Sequence, residues 1–372
     1  MKFDNDQRVV MTLDAGGTNF VFSAIQCNRE IVEPITLPSQ AHDLPRCLET
    51  LVAGFSRIRE SLGEQPAAIS FAFPGPADYP AGIISSPPNL TAFRGGVAVG
   101  PMLQERFQLP VFLNNDGDLF AYGEAISGFL PYVNGRLREG GSAKQYRNLF
   151  GVTLGTGFGG GIVRNGDLFL GDNSSAAEIW VMRNKLHNAS FVEEGASIRA
   201  VQRVYLAHST VPHATQPTPK EIYEYACGAG AGDRQAAIRA FAEMGEVVGD
   251  ALANAITLID GLVVIGGGLS AAAAIFLPRL VEEMNGSLAT LGGGQVDRME
   301  IKAFNLEDEA QFAAFIRGEP REITVPGTTR KVLYDPLKRI GVGLSRLGTS
   351  RAVALGAYAF ALHSLDTAPG EG

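Results

Sequence analysis

Short apolar runs that stop at glycine, proline, asparagine or aspartate alternate along this chain with longer segments of helical period. Within residues 9–25, one apolar run ends at Asp14, crosses a Gly-Gly-Thr turn at residues 16–18, and is followed by a second apolar run. Strands are commonly bounded by turn residues of this kind. The stretch therefore predicts two strands joined by a tight turn.

Apolar positions three and four residues apart predict amphipathic helices, and Asp43 is placed to cap the first of them. Loops rich in glycine, proline, asparagine and aspartate follow the strands. Open α/β sheets bind their ligands at the ends of strands, so we expect these loops to form the binding site. The predicted helices span residues 43–62, 99–107, 119–127, 198–207, 220–227, 233–259 and 350–364. The predicted strands beyond the first pair span residues 67–73, 110–113 and 262–265, with an edge strand at 32–38.

Two segments predict surface structure. Residues 135–148 are polar and contain glycines, which indicates an exposed loop. Residues 305–339 are charged and interrupted by prolines, with β-like runs at 322–325 and 331–334. We expect this second segment to be an insertion or a surface hairpin.

The opening pattern returns once, at an offset of 141 residues, where residues 153–157 align with residues 12–16. Such a repeat predicts two related domains. The second copy also contains GxGxxG, but a dinucleotide-binding fingerprint must open a helix after its strand. Here Asn165-Gly166 lies between apolar runs and predicts a type I′ hairpin instead, which argues against that kind of site.

Composition narrows the class of protein. The chain has 372 residues, of which 45% are hydrophobic and 19% charged, which predicts a soluble protein of two domains. Its net charge of −8 argues against a nucleic-acid-binding surface. The three cysteines form no CxxC pair, and no apolar run is long enough to span a membrane. With no signal-peptide pattern at the start, the expected location is cytoplasmic.

Glycine clusters after strands are candidate anion sites, because a missing side chain lets backbone N–H groups approach an anion. At residues 14–18, Thr18 adds a hydroxyl donor and Asp14 a carboxylate suited to a hydrated cation. An ordinary Gly-Gly hairpin is the alternative for this stretch. Residues 266–268 follow a strand and precede a helical segment, where either a nucleotide site or close helix–strand packing is expected.

Three acidic positions are candidates for contact with an acceptor. In Asn115-Asp116 the amide is placed to fix a hydroxyl while the carboxylate takes its proton, although the same residues also suit a turn that caps the next helix. Glu178 and Glu193 are weaker candidates, since each is also an ordinary solvated surface acid. Together with the glycine clusters, these residues predict phosphoryl transfer.

Six motifs in this order resemble the ROK family of sugar kinases and repressors, over about residues 8 to 362. They are Leu13-Asp14-Ala15-Gly16-Gly17-Thr18, Phe73-Pro74-Gly75-Pro76, Pro88-Asn89-Leu90, Asn115-Asp116, Leu154-Gly155-Thr156-Gly157 and Ile265-Gly266-Gly267-Gly268. The resemblance implies an α/β fold of the actin-like ATPase class (ribonuclease H-like, hexokinase-type) with two domains and an interdomain cleft. We expect an N-terminal domain of residues 1–117 plus 352–372 and a C-terminal domain of residues 118–351.

The resemblance also implies ligands and roles. It implies ATP, Mg²⁺ and a small sugar as ligands, no nucleic-acid or membrane partner, and a homodimer. Asp116 would be the catalytic base, and Asp14 would hold Mg²⁺ through water. The residues implied to contact the sugar are Gly75, Asn89, Asn115, Asp116, Glu178 and Glu193. Those implied to bind ATP and its phosphates are Asp14, Gly16, Gly17, Thr18, Asn19, Gly155, Thr156, Gly157, Gly266, Gly267 and Gly268.

The chain departs from the family pattern beside Glu178. The family's Glu-Ile-Gly-His motif, whose histidine binds sugar and often zinc, reads Glu-Ile-Trp180-Val181 here, and no cysteine lies between Val181 and Glu193. We therefore predict no structural zinc. Apolar bulk at Trp180 and Val181 predicts an altered sugar pocket, which suits either an unusual acceptor such as an N-acylated amino sugar or weakened catalysis.

The leading hypothesis is an ATP-dependent kinase of a hexose or an N-acylated amino sugar. A catalytically weak sugar-binding or regulatory ROK protein is the alternative. A DNA-binding repressor is disfavoured, because the 13 residues before Asp14 are too few for a helix-turn-helix module.

Overall fold

The structure is a computed structural model that describes residues 2–16, 18–85, 91–212 and 214–367. Internal contacts divide the chain into two compact units, with boundaries at residues 131/132, 160/161, 177/178 and 345/346. The first unit contains the chain start, residues 161–177 and the C-terminal helix, and the second contains the rest. The domain limits expected from the sequence differ from these boundaries and stay predictions.

The first unit is built on one sheet whose strand order is β3-β2-β1-β5-β8, with β4 paired to the outer side of β2. Strands β1, β5 and β8 are parallel, while β2 runs antiparallel to β1. A small hairpin of β6 and β7 follows the carboxyl end of β5. The strands are β1 Val10–Ala15, β2 Asn19–Gln26, β3 Arg29–Glu30, β4 Ile35–Pro38, β5 Ala68–Ala72, β6 Ala77–Asp78, β7 Ile83–Ile84 and β8 Val111–Asn114.

Alternation along β1 places apolar side chains on both faces of this sheet. Met11 and Leu13 belong to a core that includes Phe55 of the first helix, whereas Val10 packs with Tyr358 of the last helix. The sheet is therefore covered on both sides, as parallel strands require. The helices of the first part of the chain and the C-terminal helix are α1 Leu44–Ser61, α2 Val99–Phe107, α3 Asp116–Ile126, α4 Phe129–Glu139 and α10 Thr349–Thr367.

The second sheet has the order β11-β10-β9-β12-β18-β15, in which β9, β12, β18 and β15 are parallel. An initial strand pair is again followed by parallel neighbours, so the predicted repeat is present in both sheets. Two further hairpins, β13–β14 and β16–β17, have exposed strands. The strands are β9 Leu149–Leu154, β10 Phe158–Arg164, β11 Asp167–Phe169, β12 Leu262–Gly266, β13 Ser287–Ala289, β14 Gln295–Asp297, β15 Lys302–Asn305, β16 Arg321–Thr324, β17 Lys331–Tyr334 and β18 Arg339–Leu344.

Within the described residues, helices α5 to α9 accompany this second sheet. The longest, α7, packs against α5, α6 and α8. Its N-terminus is capped by Asp233, and the N-terminus of α6 is closed by a Thr218–Glu221 capping box. The helices are α5 Ile198–His208, α6 Pro219–Ala226, α7 Arg234–Ile259, α8 Ala273–Met284 and α9 Glu309–Arg317.

Most predicted elements are confirmed, including the opening strand pair, the Asp43 cap of α1 and the Asn165-Gly166 hairpin. Strand β18, which lies between β12 and β15 in the second sheet, and the edge strand β15 were not predicted. The prediction of a loop over residues 135–148 was wrong at its start, because α4 continues to Glu139. Residues 306–338 contain the expected hairpin, β16–β17, and also the unpredicted helix α9. Among the helices of the described residues, none is long and apolar enough to cross a membrane.

Candidate active site

The first glycine turn joins β1 to β2 and leaves polar groups at the carboxyl end of β1. Asp14, Gly16, Thr18 and Asn19 are exposed there, and Gly17 lies outside the described residues. The turn is tight, because a Cβ atom at Gly16 would lie 2.8 Å from the Asn19 carbonyl oxygen. The Thr18 carbonyl oxygen accepts a hydrogen bond from the Ser39 N–H at 2.9 Å. Asp14 is thus accessible to a ligand at the end of a buried strand.

The Asn115-Asp116 pair lies at the carboxyl end of β8, where α3 begins. Asn115 is the N-cap residue of α3, and its Oδ1 accepts a hydrogen bond from the Gly117 N–H at 2.8 Å. Asp116 Oδ1 accepts from the same N–H at 2.9 Å. The capping interpretation of this pair is therefore confirmed, while its role toward an acceptor hydroxyl stays a prediction.

The environment of Asp116 favours its neutral form. Desolvation by the surrounding protein raises the pKa of Asp116, and the nearby negative charge of Asp14 raises it further. The hydrogen bond from the Gly117 N–H lowers the pKa in part. The residue nevertheless has an exposed surface, which a ligand can reach. A carboxylate in this setting is reachable by a hydroxyl and more basic than an ordinary aspartate.

Tyr79 links the Asn115-Asp116 pair to the Pro-Gly-Pro turn that follows β5. Its hydroxyl donates to the Phe73 carbonyl oxygen at 3.1 Å and receives a hydrogen bond from Asn115 Nδ2 at 3.4 Å. A Cβ atom at Gly75 would lie 3.0 Å from this hydroxyl. The structure thus brings Gly75 and Asn115 together through a residue that sequence reasoning missed. Asn89 lies outside the described residues.

The second glycine turn joins β9 to β10 and is held by the segment that contains Glu193. Within the turn, the Gly155 N–H donates to the Gly157 carbonyl oxygen at 3.0 Å, and Thr156 is exposed. The Phe158 N–H donates to Glu193 Oε2 at 3.0 Å. A Cβ atom at Gly157 would lie 2.7 Å from that same oxygen, so a side chain there would displace the Glu193 carboxylate. The structure therefore places Glu193 directly against the predicted phosphate turn.

Glu178 pairs with Trp180, two residues further along the chain. The Trp180 Nε1–H donates to Glu178 Oε2 in a short hydrogen bond, and the indole ring meets Phe191 edge-on. Glu178, Trp180 and Val181 are all exposed, Val181 with 53% of its surface accessible. The apolar departure from the family pattern is thus at the surface and available to a ligand.

The loop between Glu178 and Glu193 is closed around Asn184, which is fully buried. Asn184 Oδ1 accepts hydrogen bonds from the Leu186 and His187 N–H groups at 2.9 and 3.1 Å. Next to it, Lys185 forms ion pairs with Glu246 at 3.0 Å and with Glu283 at 2.7 Å. Amide hydrogen bonds and ion pairs to α7 and α8 thus fix this loop. Nothing in the sequence reasoning had drawn attention to either residue.

The third glycine cluster follows β12, and its glycines serve different purposes. A Cβ atom at Gly267, which has φ +87°, would come within 2.6 Å of the Leu154 backbone nitrogen, so this residue allows close packing onto the end of β9. Gly266 is buried at the end of β12, whereas Gly268 is exposed and a Cβ there would meet nothing within 4 Å. Close packing explains Gly267, and the open space at Gly268 suits a ligand.

The acidic groups fit Mg²⁺ by their chemistry. Asp14 offers exposed carboxylate oxygens, and Mg²⁺ in kinases usually keeps several waters and binds one or two carboxylates plus substrate phosphates. In the part of the chain that the structure describes, no group of three or more His, Cys, Asp and Glu residues is placed to hold a metal ion. The absence of a structural zinc stays a prediction.

Comparisons with known proteins bear on the whole chain. The ROK family profile matches residues 10–312. A crystal structure of glucokinase from Parabacteroides distasonis ATCC 8503 is 57% identical, covering 98% of this chain and 99% of that one with a TM-score of 0.88. The glucokinase of Thermotoga maritima is 26% identical over 299 residues, which are 73% of this chain and 86% of that protein. The N-acetyl-D-glucosamine kinase of Vibrio cholerae is 29% identical over 172 residues, 46% of this chain and 51% of that protein. The predicted two-sheet α/β fold is confirmed by this likeness.

Proposed function

This chain belongs to the ROK family, and on that premise we propose that it is an ATP-dependent sugar kinase with Asp116 as its general base. The reaction is transfer of the γ-phosphoryl group of ATP to a hydroxyl of a hexose, with glucose as the first candidate acceptor. The likeness to the 57% identical glucokinase over nearly the full length of both chains supports this acceptor. The proposal includes assembly as a homodimer, which light scattering tests.

The placement of Asp116 is the observation that carries the proposal. One oxygen of its carboxylate is held by the Gly117 N–H, and the residue is exposed. A sugar hydroxyl donates its proton to Asp116 Oδ2 while its oxygen receives a hydrogen bond from Asn115 Nδ2. Because desolvation raises the pKa of Asp116, the carboxylate is a better proton acceptor than an ordinary aspartate.

The glycine turns supply the phosphate side of the reaction. We assign phosphate contacts to Gly16, Gly17, Thr18 and Asn19 of the first glycine turn and to Gly155, Thr156 and Gly157 of the second. Gly266, Gly267 and Gly268 are assigned to the nucleotide. Asp14 would hold Mg²⁺ through water, and the cation, when bound, neutralises charge on the transferring phosphoryl group.

On the acceptor side, we assign sugar contacts to Gly75, Asn89, Asn115, Glu178 and Glu193. Each carboxylate has oxygens that accept hydrogen bonds from sugar hydroxyls. The exposed Trp180 and Val181 favour a second candidate acceptor, an N-acylated amino sugar, whose acyl group suits an apolar surface. The same residues leave a weakly catalytic sugar-binding protein as the alternative function.

The test is ADP release measured with ATP, Mg²⁺ and a panel of glucose, mannose, N-acetylglucosamine and N-acetylmannosamine. We expect turnover with at least one sugar and a loss of about 10²- to 10⁴-fold in kcat for Asp116→Asn. Asp118→Asn is a poor control because Asp118 is buried, so Asp78→Asn, at an exposed position, serves as the matched variant. Turnover by Asp116→Asn equal to that of the wild type contradicts the assigned base. Sugar binding without turnover by the wild type favours the alternative.

A further inference from the structure

The guanidinium of Arg199, near the start of α5, contacts both proposed sides of the site in the second unit. Its Nη2 donates to Glu193 Oε1 at 2.8 Å, and its Nη1 lies 3.5 Å from the Thr156 carbonyl oxygen. Its Nε donates to Glu194 Oε1 at 2.8 Å. One side chain thus spans an assigned sugar-binding acid and the assigned phosphate turn.

The backbone brings these groups together in the same region. The Ile198 N–H donates to the Gly155 carbonyl oxygen at 2.8 Å, which fixes the first turn of α5 to the glycine turn. On the other side, the Ser197 hydroxyl donates to the Glu193 carbonyl oxygen at 2.8 Å. With Glu193 Oε2 held by the Phe158 N–H, the acid and the turn are joined at several points. The Glu193 side chain and the glycine turn are therefore parts of one hydrogen-bonded arrangement.

Stability is not what this arrangement provides. The Arg199 side chain is 45% exposed, and exposed ion pairs contribute little to the free energy of unfolding. A guanidinium has a planar, fixed set of donors, and so it holds a carboxylate in one orientation. Its contribution is expected in binding rather than in folding.

We propose that Arg199 is a positioning residue that couples acceptor binding at Glu193 to nucleotide binding at the Gly155–Gly157 turn. The inference rests on the proposed function and deepens it. An acceptor that binds Glu193 fixes the position of Arg199. Arg199 in turn positions the Gly155–Gly157 turn, which binds the phosphates. By linkage, the nucleotide then tightens acceptor binding by the same factor by which the acceptor tightens nucleotide binding.

A matched control variant lies one helical turn away. Arg203 also pairs with Glu194, with Nη1 2.9 Å from Oε2, and its side chain is 46% exposed. No hydrogen bond joins it to Glu193 or Thr156 among the contacts of the described residues. Arg203→Ala therefore removes the same charge from the same helix and leaves the Glu193 and Thr156 contacts in place.

The experiment measures the Kd of the accepted sugar by calorimetry, with and without a non-hydrolysable ATP analogue and Mg²⁺. We expect the analogue to tighten sugar binding by a factor of about 5 to 150 in the wild type and in Arg203→Ala, and by a factor near 1 in Arg199→Ala. Arg199→Lys, which keeps a charge but lacks the planar fork, is expected between them. Thermal unfolding midpoints of all three variants are expected to match the wild type within about 2 °C.

The inference is overturned by a wild-type factor near 1, by a factor unchanged in Arg199→Ala, or by equal losses in Arg199→Ala and Arg203→Ala. A lowered unfolding midpoint that accounts for the loss overturns it as well. A loss of nucleotide affinity in Arg199→Ala without sugar, at an unchanged factor, assigns Arg199 a direct phosphate contact and also overturns it. A wild type that turns over no sugar refutes the proposed function as well. If the wild type turns over a sugar but the ATP analogue tightens sugar binding equally in Arg199→Ala, the inference is refuted and the proposed function stands.

Discussion

Gly123 in α3 lies directly against Ala352 in α10, so closely that a Cβ atom at Gly123 would overlap the Ala352 carbonyl oxygen. The relationship is reciprocal, because a Cβ atom at Gly356 of α10 would overlap the Leu119 carbonyl oxygen of α3. Two glycines thus permit the close approach of these helices. Since α3 begins at Asp116, this packing also sets the position of the proposed base.

Gly123→Ala is predicted to destabilise the fold by at least about 2 kcal/mol, because the backbone on the other side cannot move as a flexible side chain would. We also expect kcat to fall as α3 shifts. The control is Gly135→Ala in α4, where the nearest atom to a new Cβ lies 4.0 Å away. That change is expected to be neutral or to stabilise by up to about 1 kcal/mol. Urea denaturation of both variants checks the difference, and equal midpoints would contradict the packing argument.

Asp116→Asn is predicted to be more stable than the wild type at pH 7. The pKa of Asp116 is raised in the folded state above 3.8, the value of an ordinary aspartate, first by desolvation. The ionised carboxylate therefore costs folding free energy above the raised pKa, and this cost disappears below the unfolded value. Denaturation at pH 7 and at pH 3 should show a gain at the higher pH only. An identical difference at both pH values would show that titration plays no part.

The same raised pKa predicts a feature of the pH profile of the wild type. If Asp116 must be ionised to take the proton, kcat/KM falls as the pH drops through its folded-state pKa. We expect this acidic limb to begin above the pH at which an ordinary aspartate titrates. Initial rates from pH 4 to 8 at saturating ATP measure it, with enzyme stability confirmed at each pH.

Asp233 is predicted to make stability fall in acid. Hydrogen bonds from the Thr210 N–H and hydroxyl and from two N–H groups of α7 lower the pKa of Asp233 to about 2. A lowered folded pKa gives stability that is present above about 3.8 and lost as the pH falls through about 2. Asp233→Asn should therefore be less stable than the wild type at pH 7, with the gap closing towards pH 2. Glu300→Gln, at a side chain that is 93% exposed, controls for loss of one charge.

Asn184→Ala is predicted to destabilise the fold by about 1–3 kcal/mol, because the Leu186 and His187 N–H groups lose their buried acceptor. We also expect a higher KM for the acceptor, since this loop ends at Glu193. Asn254→Ala, on the exposed side of α7, is the matched control and should change stability by less than about 0.5 kcal/mol. Calorimetric unfolding and acceptor titration separate the two effects. A KM of Asn184→Ala equal to that of the wild type would show that this loop does not contribute to acceptor binding.

Local patterns predicted those elements whose signal lies within a few residues. The opening strand pair, the Asp43 cap and the Asn165-Gly166 hairpin depend on neighbouring residues, and all were found. Strand β18 was missed because its apolar run, Ile340–Leu344, is interrupted by two glycines. The buried position of β18 between β12 and β15 comes from pairing with distant strands, which no local window contains.

Sequence alone determined the family, the fold class and the choice of chemistry, because the glycine turns and the Asn115-Asp116 pair are short motifs in a fixed order. The tertiary structure decided which side chains form hydrogen bonds with the residues of those motifs. It showed that Asn115 caps α3 while its amide nitrogen bonds Tyr79, and that Arg199 joins Glu193 to Thr156. Tyr79 and Arg199 belong to no motif. Their contacts arise where separate loops converge at the ends of strands, and only folding brings such residues within hydrogen-bonding distance.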